Sequence, residues 1–247
     1  MNLLEVDDLH KSFGGVRAVD GVSFCVAPGE LLALIGPNGA GKSTLFNLLN
    51  GQLLADRGQV RLDGQSLRGK PREIWARGVG RTFQMAQTFA SLTVLENVQM
   101  VLLSQSRQLF SFWSRAARHQ TQRAMVLLEQ VGLLRQAARA CGELAYGDVK
   151  RLELALALAS EPRLLLMDEP TAGMATEERH ALMDLVRQLA RERRTAVLFT
   201  EHSMDVVFGF AQRVIVLARG RIVADGEPQQ IQAHAQVQDA YLGAALT

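Results

Sequence analysis

The stretch 31-LLALIGPNGAGKSTLFNLLN-50 runs from an apolar segment through a glycine-rich turn into Lys42-Ser43-Thr44, followed by Leu45, Leu48 and Leu49 at helical spacing. This pattern predicts a buried strand, a loop and a helix, the setting in which a phosphate-binding loop works. Gly36, Gly39 and Gly41 let the backbone turn tightly and approach an anion, with Pro37, Asn38 and Ala40 completing the loop. Loop amides and the helix N-terminus are then expected to face phosphate oxygens. Lys42 is expected to reach the β- and γ-phosphates, and the Ser43 hydroxyl to serve as a magnesium ligand.

Further along, 161-EPRLLLMDEPTAGM-174 holds a second apolar strand that delivers Asp168 and Glu169 at its C-terminal end. Beside a phosphate loop, the first carboxylate is the expected magnesium partner and the second is placed to polarise a water. A solvated acidic turn is the plainer alternative. A third apolar run, 195-TAVLFT-200, ends in Glu201-His202, and 78-GVGRTFQ-84 reads as a short strand ending at Gln84. Asp168, His202 and Gln84 thus all follow core strands, at the sheet edge where α/β folds bind ligands.

Outside these segments, residues 3–35 read as strands, because Leu4 and Val6, then Val22, Phe24 and Val26, alternate with polar neighbours. Phe13, in the linking turn 12-SFGGVRAV-19, fits either an aromatic stacked on a base or an anchor of the core or turn. Asp63-Gly64 predicts a hairpin in 58-GQVRLDGQSL-67, an antiparallel flap beside the main sheet. Residues 93 to about 140 are helical in pattern and basic, with arginines at 107, 115, 118, 123, 135 and 139 against glutamates at 96 and 129. Ser114 is the expected N-cap of a helix with Ala117, Ala124, Leu127, Leu128 and Val131 on its apolar face. Within this part, 109-LFSFWSR-115 reads either as a packed helix joint or as a face toward a membrane or partner. A turn at Leu144–Asp148 feeds a helix with Leu152, Leu156 and Ala159 on one side. Thr176 is the expected cap of a helix opening with Glu177 and Glu178. A hairpin around 213–226 and a last helix from Glu227-Pro228 to about Leu242 close the chain.

A chain of 247 residues, 48% apolar, can bury a full core, and no linker or internal repeat divides it. The expected architecture is α/β with an antiparallel flap and an inserted helical segment. A formal charge of +2 is too small to argue for nucleic acid. Cys25 and Cys141 lack metal-ligand spacing; Cys25, in the alternating run VSFCV, is expected to be a buried free thiol, in keeping with a reducing compartment. The acidic N-terminus is not a signal peptide in pattern, and no apolar stretch reaches the roughly 18 residues needed to span a membrane.

Taken together, the Gly36–Thr44 loop, Gln84, the turn at 144–148, the LLLMDEP strand and His202, in that order, resemble the nucleotide-binding subunit of ABC transporters over essentially the whole chain. GVGRTFQ, 92-LTVLENV-98, LAYGD with KRLELA, and 239-DAYLGA-244 look like the branched-chain amino-acid importer ATPases. The resemblance implies a P-loop NTPase core of ABC type with a mixed sheet, residues 1–92 and 161–247 forming the catalytic core and 93–160 a helical subdomain with the signature loop. It implies that Phe13 or its neighbours lies against adenine, that Lys42, Ser43 and Thr44 hold ATP phosphates and Mg²⁺, and that Asp168 is a metal partner. Glu169 would be the general base. Gln84 would touch the metal and γ-phosphate and couple to the permease, and His202 would contact the γ-phosphate. Ala145, Tyr146 and Gly147 would act on the nucleotide of an opposite subunit, so two composite sites need a homodimer or a paralogous heterodimer. Further implied partners are membrane permease subunits, whose short coupling helix would enter near Gln84 and the helical insert, and indirectly an extracytoplasmic solute-binding protein. Nucleic acid is not implied, and the place is the cytoplasmic face of a prokaryotic inner membrane. A lipid or lipopolysaccharide exporter ATPase, or a nucleotide-gated interaction protein without turnover, are the alternatives.

The signature departs from the general one. Ala145 stands where most members have serine, Tyr146 where they have glycine, and Asp148-Val149 replaces a polar pair. Ala145 and Tyr146 match the branched-chain subgroup. A missing serine hydroxyl removes a charge-assisted hydrogen bond worth roughly 1.5–3 kcal/mol, so the site should lean on backbone donors. Met174-Ala175 also lacks the usual acid or asparagine after the LLLMDEP strand, which bears on contacts between subunits.

Overall fold

The computed structural model describes residues 2–82, 88–105 and 114–234. Two long strands, β1 (Leu4–Phe13) and β2 (Val16–Val26), pair antiparallel around Gly14-Gly15. β3 (Leu31–Ile35) then leads into α1 (Lys42–Leu49). The flap strands β4 (Arg57–Leu62) and β5 (Gln65–Ser66) turn at Asp63-Gly64 and join the first two in a four-stranded sheet ordered β2-β1-β4-β5. After α2 (Pro71–Ala76), β6 (Val79–Thr82) returns to the main sheet.

Helices α3 (Val94–Gln105), α4 (Ser114–Gln130) and α5 (Tyr146–Leu158) follow, and α3 packs along both others. Val94, Val98 and Leu102, four residues apart on α3, are fully buried, as are Ala124 and Leu128 on α4. Ser114 is the first described residue of α4 itself rather than a residue before it. The Phe110, Phe112 and Trp113 cluster lies outside the described residues.

β7 (Leu164–Asp168), α6 (Thr176–Arg193), β8 (Ala196–Thr200), α7 (Met204–Phe210), β9 (Arg213–Ala218), β10 (Arg221–Gly226) and α8 (Pro228–Gln232) complete the described fold. Among the described residues the main sheet has six strands in the order β10-β9-β3-β8-β7-β6, parallel throughout except for β9-β10. Its central strands are covered on both faces, which is why they read as unbroken apolar runs. Leu32, Leu34, Leu164, Leu166, Ala196 and Leu198 pack toward α1 and the antiparallel sheet. Their alternates Ala33, Ile35, Leu165, Met167, Val197 and Phe199 pack toward α3 to α6.

Three local expectations are corrected. Ala175, without a side-chain cap bond, occupies the N-cap position of α6, and Thr176 is its first helical residue; Glu177 and Glu178 alone complement the helix end. Cys25 is only half-buried because Phe24 and Val26 point to the core on the other face of β2, while Cys141 is the buried thiol. Phe13 is 48% exposed, which removes the core-anchor reading. Among the described residues no helix is long and apolar enough to cross a membrane.

Candidate active site

The loop between β3 and α1 is walled in by backbone. A Cβ on Gly36 would lie 2.2 Å from the Leu217 carbonyl of β9. Gly41, at the N-cap of α1, has φ 107°, and a Cβ there would lie 2.2 Å from the Ala18 carbonyl of β2. Glycine is therefore required at both positions, at the second also by its left-handed backbone. Gly220 donates its amide to the Ala40 carbonyl (2.9 Å), tying the loop to the β9-β10 hairpin. Pro37, Asn38 and Gly39 form the exposed crown. Lys42 is 8% exposed and its Nζ donates to the Gly36 and Pro37 carbonyls at 2.6 and 3.2 Å. Burial pushes the Lys42 pKa down, opposed by the negative charges of Glu169 and Asp168. The cation is thus buried on the loop and held over it by its own backbone. Ser43 is exposed and Thr44 half-buried at the start of α1.

The ends of β7 and β8 are joined by side chains. Asp168 Oδ1 accepts from Thr200 Oγ1 at 2.8 Å, and Oδ2 from the Arg81 guanidinium at 3.3 Å. Arg81 also donates to Asn47 Oδ1 (2.7 Å), and burial lowers its pKa against the opposing pull of Asp168. Glu169 adopts a left-handed backbone, φ 49°, uncommon for a residue with a side chain. Its amide donates to the carbonyl and hydroxyl oxygens of Thr200, each at 3.1 Å. Its Oε1 lies 3.0 Å from His202 Nε2, with the histidine 49% and the glutamate 22% exposed. A carboxylate and an imidazole therefore meet at the open end of the sheet, one strand from the phosphate loop.

Tyr146 and Gly147 begin α5, with Ala145 at the cap position. Ala145 and Tyr146 are exposed. The Tyr146 hydroxyl donates to the Ala172 carbonyl at 3.0 Å, and its ring lies beside Gly173 and under Lys150 Nζ, 5.5 Å from the centroid. The turn is thus fastened to the segment that follows Glu169. Met174 is buried in the core rather than displayed. The exposed Phe13 ring ends β1, with Lys11 Nζ 5.6 Å from its centroid. Gln84 lies outside the described residues, two positions beyond the end of β6.

Sequence reading did not single out Arg81, Thr200, Glu201 or Thr171. Arg81 stands inside the quoted GVGRTFQ, upstream of Gln84, and Glu201 directly precedes His202. Thr200 and Thr171 carry no signal of their own, because their partners are about 30 residues away.

The model of the family described as "ABC transporter" matches residues 19–172. The chain belongs to this family. A second model, described as "Branched-chain amino acid ATP-binding cassette transporter", matches residues 221–246 of the cassette. The cassette is 41% identical over 254 aligned residues to the high-affinity branched-chain amino acid transport ATP-binding protein LivG of Escherichia coli K12, covering 98% of each chain. Its fold superposes on a solved ATP-binding cassette of an ABC transporter in its ADP conformation with TM-score 0.87 and 31% identity, covering 98% and 99% of the two chains. A dimeric cassette in a post-hydrolysis state, bound to ADP and phosphate, gives TM-score 0.78 and 26% identity over 91% and 98%. The cassette is an ATP-binding subunit that hydrolyses ATP.

Proposed function

We propose that this cassette energises import of branched-chain or related amino acids, working at the cytoplasmic face of a prokaryotic inner membrane with permease subunits and a solute-binding protein. The observation that carries this is 41% identity with LivG across nearly the full length of both chains, including the C-terminal stretch.

In the proposed mechanism Lys42 leaves the Gly36 and Pro37 carbonyls for the β- and γ-phosphates. Ser43 and Asp168 would hold Mg²⁺, joined by Thr44 and Gln84 near the phosphates. The fit rests on the donor chemistry: two hard oxygen donors, the exposed Ser43 hydroxyl at the start of α1 and the Asp168 carboxylate at the end of β7. Mg²⁺ at such sites takes one or two protein oxygens together with the substrate's phosphates. When bound, Mg²⁺ supplies charge neutralisation on the phosphate oxygens. Glu169 takes a proton from water as that water attacks the γ-phosphorus, the bond to the β-bridging oxygen breaks, and ADP and phosphate result. His202 contacts the γ-phosphate and fixes the carboxylate it already meets. Phe13 lies against adenine.

The exposed start of α5, Ala145 to Gly147, acts on ATP held by a second subunit, so the working unit is a dimer. Residues 1–92 and 161–247 form the catalytic core and 93–160 the helical subdomain. Between them runs a largely apolar groove of about 590 Å³ lined by Ile74, Trp75, Val79, Val101 and Leu156, with Arg72 and Arg81 at hand. It suits a short apolar helix of a permease. The test is isolation of the cassette with its membrane partners, followed by leucine uptake into vesicles of the purified complex. ATP-dependent uptake is expected; partners unrelated to permeases, or ATP turnover without uptake or binding of leucine, isoleucine, valine or any other amino acid, would overturn the reading.

A further inference from the structure

Glu201 is 3% exposed, and a carboxylate so placed is costly unless donors surround it. Its Oε1 accepts from the Thr171 amide at 2.8 Å and from the Thr171 hydroxyl at 2.6 Å. Its Oε2 accepts from the His202 amide at 3.2 Å. Thr171 is itself 1% exposed. Hydrogen bonds therefore reach both oxygens of Glu201, from two different turns. One turn follows Glu169 and the other carries His202. A glutamine could not replace this: its amide offers a single acceptor oxygen, so one of the two turns would face N–H groups instead.

We propose that Glu201 is a positioning residue, a buried carboxylate that holds the His202 backbone at a fixed distance from the Glu169 turn and so keeps Nε2 on Oε1. The end of β8 then supplies three consecutive residues with separate tasks. Thr200 holds Asp168 and the Glu169 amide, Glu201 joins the turns, and His202 meets the carboxylate. Glu201 is buried, its carboxylate spent on Thr171 and the His202 amide, and it acts through His202. The inference rests on the roles given to Glu169 and His202 above.

The experiment is a double-mutant cycle of Glu201→Gln and His202→Ala in the full chain, reading kcat and KM for ATP, nucleotide affinity and thermal midpoint. Glu201→Gln is expected to lower kcat about tenfold, short of the roughly 10²-fold cost of misplacing a catalytic group outright, with KM within about twofold. In the His202→Ala background the same change should cost less than about twofold, since its route of action is gone. Losses that multiply, or a kcat unchanged by Glu201→Gln while His202→Ala is impaired, would overturn the proposal. If His202→Ala alone leaves turnover intact, the role given to His202 fails and this inference falls with it. Should Glu201→Gln not fold, Thr171→Val removes one donor and keeps the shape. Its smaller kcat loss must likewise vanish in the His202→Ala background.

Discussion

Helices α1 and α5 both begin after short turns that carry glycine, and they begin in opposite surroundings. At α1, carbonyls of β2 and β9 press on Gly41 and Gly36, and Lys42 is buried against its own loop. At α5, Ala145 and Tyr146 are exposed, Gly147 has ordinary helical backbone, and a Cβ added to it would meet nothing closer than 3.5 Å. The first helix start is enclosed by the chain that owns it. The second is held in position from behind, by the Tyr146 bond to Ala172, and presents its open side outward. One helix start finished by its own chain and another left open is the arrangement that the proposed site, shared between two copies, would use.

The strongest way to break this comparison is Lys42→Ala. It should abolish measurable ATP binding and turnover, because the cation buried on the loop is removed. Calorimetric titration checks it, and retained affinity would mean that the enclosed helix start is not the phosphate site. Next comes Glu169→Gln, which keeps size and hydrogen bonding but cannot accept a proton. Phosphate release should fall by roughly 10²-fold or more, while light scattering with ATP and Mg²⁺ shows the mass of two associated chains. Near-parental hydrolysis would move the base elsewhere.

A paired substitution sharpens the contrast. Gly41→Ala is expected to destabilise the fold by about 1–3 kcal/mol, from its left-handed backbone and the collision with Ala18. Gly147→Ala should leave stability unchanged or raise it by up to about 1 kcal/mol, as alanine favours helix. Thermal denaturation reads both, and equal losses would mean the two helix starts are not different after all. The smallest effect belongs to Tyr146→Phe. Loss of one half-exposed hydrogen bond to Ala172 should cost about 0.5–1.5 kcal/mol, with unchanged ATP affinity of the isolated chain.

Local patterns carried a large part of this protein. The phosphate loop could be read because strand, turn and helix are contiguous, and each step has its own residue signature from Leu31 to Leu49. Asp168 and Glu169 could be read because an apolar run buries the strand that delivers them. The α/β class, the flap at Asp63-Gly64 and the helical segment followed from changes in period, and the order of the motifs pointed to the family. Boundaries were less secure: Thr176 was a cap by residue type, but the chain turns one residue earlier and gives that place to Ala175.

What the sequence by itself determined, then, was the fold class, the family and the order of the motifs. The tertiary structure decided what each motif residue touches. Strand order β3-β8-β7 sets Thr200 against Asp168, and the antiparallel sheet and β9 bring Ala18 and Leu217 onto the loop glycines. Arg81 reaches Asp168 across 87 positions, and Glu201 reaches Thr171 across 30. No local period encodes such pairs, because they arise from the order in which distant strands are laid side by side. Burial had the same origin. VSFCV alternates, but which of its faces meets the core was settled by packing against the neighbouring sheet, and it left Cys25 on the other side.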